Sequence, residues 1–230
     1  MIDSQKISAE SLPTLRIDIV SDVMCPWCVI GYLGLQQALE ILQNELNVDV
    51  HWQPFELNPH MPVEGQELGE HIKEKYGSTA EQSQSNRDHI VALGANLGFE
   101  FNFAEGKRIV NTFNAHQLLH WAGETSDQQT VLKMALLEAY FKQGRDVSNI
   151  DVLAAIATEQ GLDGLLAKQL LVDQVYAGDV RAIQAKWPSL GISAVPTFIF
   201  DDQYMISGGQ PVEAFVQGLR EMIASDHSVR

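Results

Sequence analysis

Two cysteines stand in the run Cys25-Pro26-Trp27-Cys28, and the chain has no others. A pair at this spacing serves one of two chemistries. The first is dithiol exchange, in which one thiol is a thiolate near neutral pH and a second lies close enough to resolve a mixed disulfide. The second is zinc binding, for which His116-x-x-x-His120 would supply two imidazoles on one helix face. The separation of Cys28 from His116 is far longer than in a zinc finger, and a bulky Trp121 follows His120, so the expectation is that no metal is held. A pair of small core residues is the third reading, and the intervening proline weighs against it. A structural disulfide framework needs more cysteines than this.

The elements around the pair decide what it can do. Arg16 to Val23 alternates polar and apolar residues with β-branched members, which predicts a strand. Apolar residues then recur at helical spacing and predict a helix from about Pro26 to Leu46. Cys25 therefore sits where a strand hands over to a helix. Unpaired N–H groups and the helix dipole stabilise an anion there, and CxxC thiols in such places have pKa values of about 3.5–7.5. Cys28 lies one turn on, facing back and more buried. Cys25 is thus the nucleophile and Cys28 the resolving thiol. Pro26 suits the first helical position. Trp27 is either an apolar platform for substrate beside the sulfurs or a packing residue. Asp22, three residues before Cys25, either influences proton transfer at the thiols or is a solvated turn residue.

Val48 to Phe55 predicts a second strand, with Pro54 at its end or on a sheet edge. Helical segments follow. One ends at Gly77, and Ser78-x-x-Glu81 is a capping-box pattern for the next. Others are Phe113–Gly123, a helix capped at Ser126-x-x-Gln129 and running to Gln143, Ser148–Gln160, Leu162–Ala177 and Asp179–Trp187. Strand character returns in Ala194–Phe200 and Gln203–Ser207, joined through Asp201-Asp202 as a hairpin, before a helix over Pro211–Ala224. The layout is an α/β domain split by a long helical insertion, with parts at 14–57, 58–177 and 178–226. Val195-Pro196 leads the returning hairpin. It is either an ordinary trans proline or a cis proline facing the sulfurs, with Val195 exposing backbone groups for substrate pairing.

Hydrophobic residues make up 45% and charged residues 20%, a balance that can bury a core, and the net charge of −15 repels nucleic acid and anionic membranes. Met1 to Pro13 lacks the basic start and apolar stretch of a secretory signal, so the expected location is cytoplasmic. Val131 to Phe141 is apolar enough to be core or a homodimer contact. Asn111, Thr112, Asn114 and His116 are candidates to line a cleft between the insertion and the α/β part, with a hydrogen-bonded helix histidine as the other reading of His116. Ser207 to Gln210 precede a helix and either receive a carboxylate, such as that of glutathione, or form a plain Gly-rich turn. No phosphate-binding loop or trustworthy Ser/His/Asp order is present.

Five segments in this order resemble the DsbA-like branch of the thioredoxin superfamily, specifically its FrnE-type proteins. They are Ser21 to Cys28, Phe55-Glu56-Leu57-Asn58-Pro59, Asn111-Thr112 with Ala115-His116, Val195-Pro196-Thr197, and Ser207 to Pro211. The resemblance implies a thioredoxin fold with a helical domain inserted after the second strand. It implies a disulfide oxidoreductase without a resident cofactor, acting on thiol- or disulfide-bearing proteins or small molecules, with glutathione as a candidate co-substrate. It places Val195, Pro196 and Thr197 beside the sulfurs. The superfamily also includes kappa-class glutathione transferases and 2-hydroxychromene-2-carboxylate isomerases, which make a glutathione-dependent isomerase or transferase the alternative. Those usually carry a serine or a single nucleophile where Cys25 lies; here both thiols are present. Periplasmic DsbA enzymes have a histidine between the cysteines, where this chain has Trp27.

Overall fold

The computed structural model describes residues 12–227; the first part of the leader expected at Met1 to Pro13 lies outside them. In chain order the elements are β1 (Thr14–Ser21), α1 (Pro26–Ile41), β2 (Asn47–Pro54), β3 (Gln66–Glu67), α2 (Leu68–Tyr76), α3 (Ala80–Asn96), β4 (Arg108–Ile109), α4 (Phe113–Thr125), α5 (Gln129–Phe141), α6 (Ile150–Glu159), α7 (Gly164–Val172), α8 (Ala177–Gln184), β5 (Thr197–Phe200), β6 (Tyr204–Ser207) and α9 (Val212–His227). Four strands form one sheet in the order β2-β1-β5-β6. β2 runs parallel to β1, with Arg16 opposite Asp49, and β5 and β6 add antiparallel. This is a thioredoxin fold, with helices α2–α8 entering between the second and third strands of the sheet.

β1 is central, so its side chains serve two cores. Ile17 and Ile19 pack with Tyr32, Leu35, Phe198 and Phe215 on the face covered by α1 and α9. Val20 joins Trp187 and Ile192 on the opposite face. Two glycines let α1 approach closely. A Cβ on Gly31 would lie 3.0 Å from both Phe198 Cζ and Pro196 Cγ, and one on Gly34 would lie 3.1 Å from the Gln210 carbonyl oxygen.

β2 occupies a sheet edge and ends at Pro54, where a missing N–H costs no ladder bond. The helical insertion covers part of that edge. The Gln129 side-chain amide mimics a neighbouring strand: its Oε1 accepts from Trp52 N at 2.9 Å and its Nε2 donates to Trp52 O at 3.2 Å. Trp52 Nε1 also donates to Thr130 Oγ1 at 3.0 Å. The insertion has its own core, in which Leu132, Leu136, Leu137, Tyr140 and Phe141 of α5 are buried. Most of the apolar stretch from Val131 to Phe141 is therefore interior, the core alternative of the two, while Val131 itself stays exposed.

Several element ends differ from the expectations. α1 stops at Ile41, because Leu42 and Leu46 continue the apolar spacing through a turn closed by Leu46 N to Leu42 O. The capping box forms one residue later than Ser78/Glu81, between Thr79 and Gln82. α7 ends at Val172, and Gln174 just beyond it adopts a left-handed φ of 53°. Asp201 and Asp202 carry φ of 46° and 56°, the left-handed conformation of the tight turn that, with Gln203, joins the paired Phe200 and Tyr204.

Candidate active site

Cys25 occupies the N-cap of α1 with an extended backbone, and Pro26 opens the helix. The first helical N–H groups have no partner within the helix, so the turn can receive an anion. Cys28 N donates to Cys25 O at 3.1 Å, which closes the turn that brings the two sulfurs together. Both thiols are free and their residues buried, Cys25 at 3% exposure and Cys28 at 0%. Burial pushes the Cys28 thiol well up, and the hydrogen bond and charge of Cys25 push it the same way, while Lys133 opposes them. The enclosed Cys28 sulfur is thus held against ionisation.

The Val195–Pro196 bond is cis, and Cys25 Sγ lies 3.6 Å from the Val195 carbonyl oxygen. The structure therefore brings together residues 170 positions apart in sequence. The Thr197 side chain is buried and donates to Ala194 O at 2.9 Å, bracing the loop. Trp27 is half-buried against the insertion core, with its ring 6.1 Å from that of His89 on α3.

Asp22 is not a solvated turn residue. It is fully buried, and its Oδ2 accepts from Leu57 N at 2.8 Å. Its backbone carbonyl accepts from Cys25 N at 3.3 Å, so its position is tied to that of Cys25. Of the two readings of His116, the structure supports the partnered helix histidine: it is 2% exposed, and its Nε2 lies 3.3 Å from Asp22 Oδ1. Burial alone would raise the Asp22 carboxyl, but His116, the Leu57 N–H and Lys133 outweigh it and hold the carboxyl below its usual range. His120, the other imidazole of the drawn zinc set, packs edge-on against Tyr176. Among the described residues no group of three or more His, Cys, Asp or Glu side chains could hold a metal ion. Asn111 uses both ends of its amide locally, donating to Met61 O at 3.4 Å and accepting from Phe113 N at 2.9 Å.

Three contributors escaped the sequence reading. Lys133 is wholly enclosed behind the thiols, its Nζ 5.0 Å from the Trp52 ring centroid. Burial lowers it to about 8, against the opposing charges of Cys28, Asp22 and Cys25. Its signal was a lone lysine in register with Leu136, Leu137 and Tyr140 on the buried face of α5. The second is Lys75, whose Nζ donates to Leu57 O at 2.8 Å and Asn58 Oδ1 at 2.7 Å, fixing the loop after β2. The third is the ion pair of buried Glu56 with Arg181, which ties that loop to α8.

The site as a whole is a dithiol at a helix start, a cis proline loop against the outer sulfur, and a buried Asp22–His116–Lys133 group behind the inner one. The protein is similar to a probable DsbA oxidoreductase from Streptomyces coelicolor, at 32% identity and a TM-score of 0.84 over 90% of this chain and 89% of that one. It is also similar to the Bacillus subtilis protein YwbO, at 27% identity over 209 residues, covering 90% of this chain and 97% of the relative. The cytosolic disulfide reductase DsbM of Pseudomonas aeruginosa, solved with GSH, shares the fold at 17% identity and a TM-score of 0.63 over 91% of this chain and 99% of that one. The model of the DSBA-like thioredoxin domain matches residues 16–220. With nearly the whole chain matched and the dithiol in place, the protein belongs to the DSBA-like thioredoxin domain family.

Proposed function

We propose that the protein is a FrnE-type thiol–disulfide oxidoreductase that cycles between a Cys25–Cys28 dithiol and disulfide. The observation that carries this reading is the pairing of an outer thiol at the helix N-terminus, in contact with the Val195 carbonyl, with an enclosed second thiol one turn away. The Cys25 thiolate attacks one sulfur of a substrate disulfide, forms a mixed disulfide and expels the other sulfur as a thiolate. Cys28 then loses its proton and attacks Cys25 Sγ. The Cys25–Cys28 bond forms, the second substrate thiolate leaves, and two electrons have passed to the substrate. Two thiols such as glutathione return the pair to the dithiol, the first forming a mixed disulfide and the second releasing it as their own disulfide, and oxidation of a substrate dithiol is the same sequence reversed.

The buried Asp22–His116–Lys133 group supports the resolving step. Cys28 must ionise in a site that opposes ionisation, and Lys133 is the nearby cation that favours the thiolate. We place the activity in the cytoplasm, and no helix among the described residues is long and apolar enough to cross a membrane.

The test is release of thiol from a small disulfide, coupled to glutathione. Wild-type protein turns over, and Cys25→Ser does not react. Turnover that survives Cys28→Ser would overturn the dithiol cycle in favour of a single-nucleophile, glutathione-dependent isomerase or transferase.

A further inference from the structure

On the sheet face opposite α1 and α9 lies a cavity of about 490 Å³. Phe55, Pro59, Trp187 and Ile192 make it apolar, and Glu56 and Gln184 contribute its polar groups. Two of their atoms are anomalous. Glu56 Oε2 is held by Arg181, yet Glu56 Oε1 is buried with no hydrogen-bond partner. Gln184 Oε1 accepts from Arg181 at 3.0 Å, while its Nε2 is likewise buried and unpartnered. An acceptor and a donor left unsatisfied beside one cavity are costly unless something fills them. Because Arg181 already balances Glu56, the pair suits a neutral group that offers both a donor and an acceptor.

The cavity adjoins the dithiol by two routes. Phe55 N donates to Ser21 O at 3.3 Å and Leu57 N donates to Asp22, so its floor is bonded to the loop that carries Cys25. Ser193 also lines the cavity, two residues before the Val195 whose carbonyl meets Cys25 Sγ. Ser193 and Ala194 are exposed, and among the described residues the N–H groups of Ser193, Ala194 and Val195 have no intrachain acceptor. That stretch is an open edge to which an extended chain can add.

We infer that this cavity is a subsite for a polypeptide substrate, receiving an apolar side chain near the substrate cysteine and a peptide group between Glu56 Oε1 and Gln184 Nε2. The peptide N–H donates to Glu56, and its carbonyl accepts from Gln184. Gln184 is half-buried, and rotation of its side chain admits the ligand. In an extended chain, residues two apart share a face. A substrate cysteine at Val195 therefore directs the side chain two positions away towards Ser193 and the cavity. The inference deepens the dithiol reading and rests on it for the identity of the substrate, which becomes a protein or peptide disulfide rather than a small one.

The test uses a short peptide with serine in place of cysteine and phenylalanine two residues away on each side, titrated calorimetrically into the full-length protein. Wild type binds it, and binds a glycine-for-phenylalanine version about tenfold or more weakly. Ser193→Phe, which crowds the cavity mouth, and Gln184→Leu, which removes the donor, each weaken binding about tenfold. With the cysteine-containing disulfide of the same peptide, both variants raise KM relative to that for a small disulfide, and kcat changes less. Absence of binding to wild type, or equal binding by the variants or by the glycine peptide, overturns the subsite and leaves the cavity to bound water only. Should wild type reduce neither disulfide, the dithiol reading fails instead, while the serine peptide still decides the subsite.

Discussion

Lys133→Met should make the protein more stable and less competent at once. Lys133 is wholly enclosed, and burial lowers its ammonium from 10.5 to about 8 in spite of the charges of Cys28, Asp22 and Cys25. The lowered value is already net of those attractions, so desolvation wins by about 3 kcal/mol at neutral pH. Between pH 8 and 10.5 the folded protein binds fewer protons here than the unfolded chain, so stability rises with pH across that window. Below it the lysine is charged in both states and the full penalty is present. Methionine keeps the volume without the charge, and Asp22 retains His116 and the Leu57 N–H. The expected gain at pH 7 is about 2–3 kcal/mol, or a Tm higher by roughly 5–10 °C. Chemical denaturation from pH 6 to 10.5 is the assay, with the variant losing the alkaline rise that wild type shows. In the same variant Cys28 loses the cation that lowers its thiol, so single-turnover resolution of a Cys25 mixed disulfide slows at pH 7. A destabilised Lys133→Met, or one that keeps the alkaline rise, would refute this reasoning.

Other perturbations follow from the same structure. The Asp22 carboxyl is held low in the folded state, so its contribution is present above about pH 4 and is lost as pH falls through the folded value. Asp22→Asn should therefore flatten the acid limb of a denaturation profile. Gly31→Ala forces a Cβ to 3.0 Å from Phe198 and Pro196 and 3.3 Å from Gly209 Cα. Because Phe198 is fully enclosed, the expected loss is about 1–3 kcal/mol by chemical denaturation, with slower disulfide exchange as the proline loop shifts. Trp187→Phe removes the 2.8 Å bond from Nε1 to Pro54 O and leaves that buried carbonyl unpaired. About 1–3 kcal/mol of stability should go with it.

The parts of this protein that are written locally could be read from the sequence. The strand before Cys25, the proline after it and the cysteine one turn on specify the helix start. The Asp201-Asp202 pair specifies the hairpin. Pairings across the chain could not be read in this way. Asp22 and His116 meet only because α4 packs beside the active-site loop, and neither residue's neighbours signal a partner. His116 consequently carried two readings, a cleft residue or a hydrogen-bonded helix histidine, with nothing local to name Asp22 as its partner. Lys133 was hidden for a different reason: the apolar stretch around it fits either a core or a dimer contact, and nothing local marks the lysine within it as enclosed. Ser78/Glu81 and Thr79/Gln82 fit the same capping pattern, and only the fold selects the second. Gln129, which closes the edge of β2 at Trp52, has no local mark of that role.

The most direct test of the central claim is to trap the intermediate. Wild-type protein and the Cys28→Ser variant are mixed with a small disulfide, quenched with acid and analysed by peptide mass. The account predicts that wild type accumulates an internal Cys25–Cys28 bond, whereas Cys28→Ser stops with the substrate half attached to Cys25. An adduct on residue 28 before residue 25, or a wild type that forms no internal bond, would contradict it.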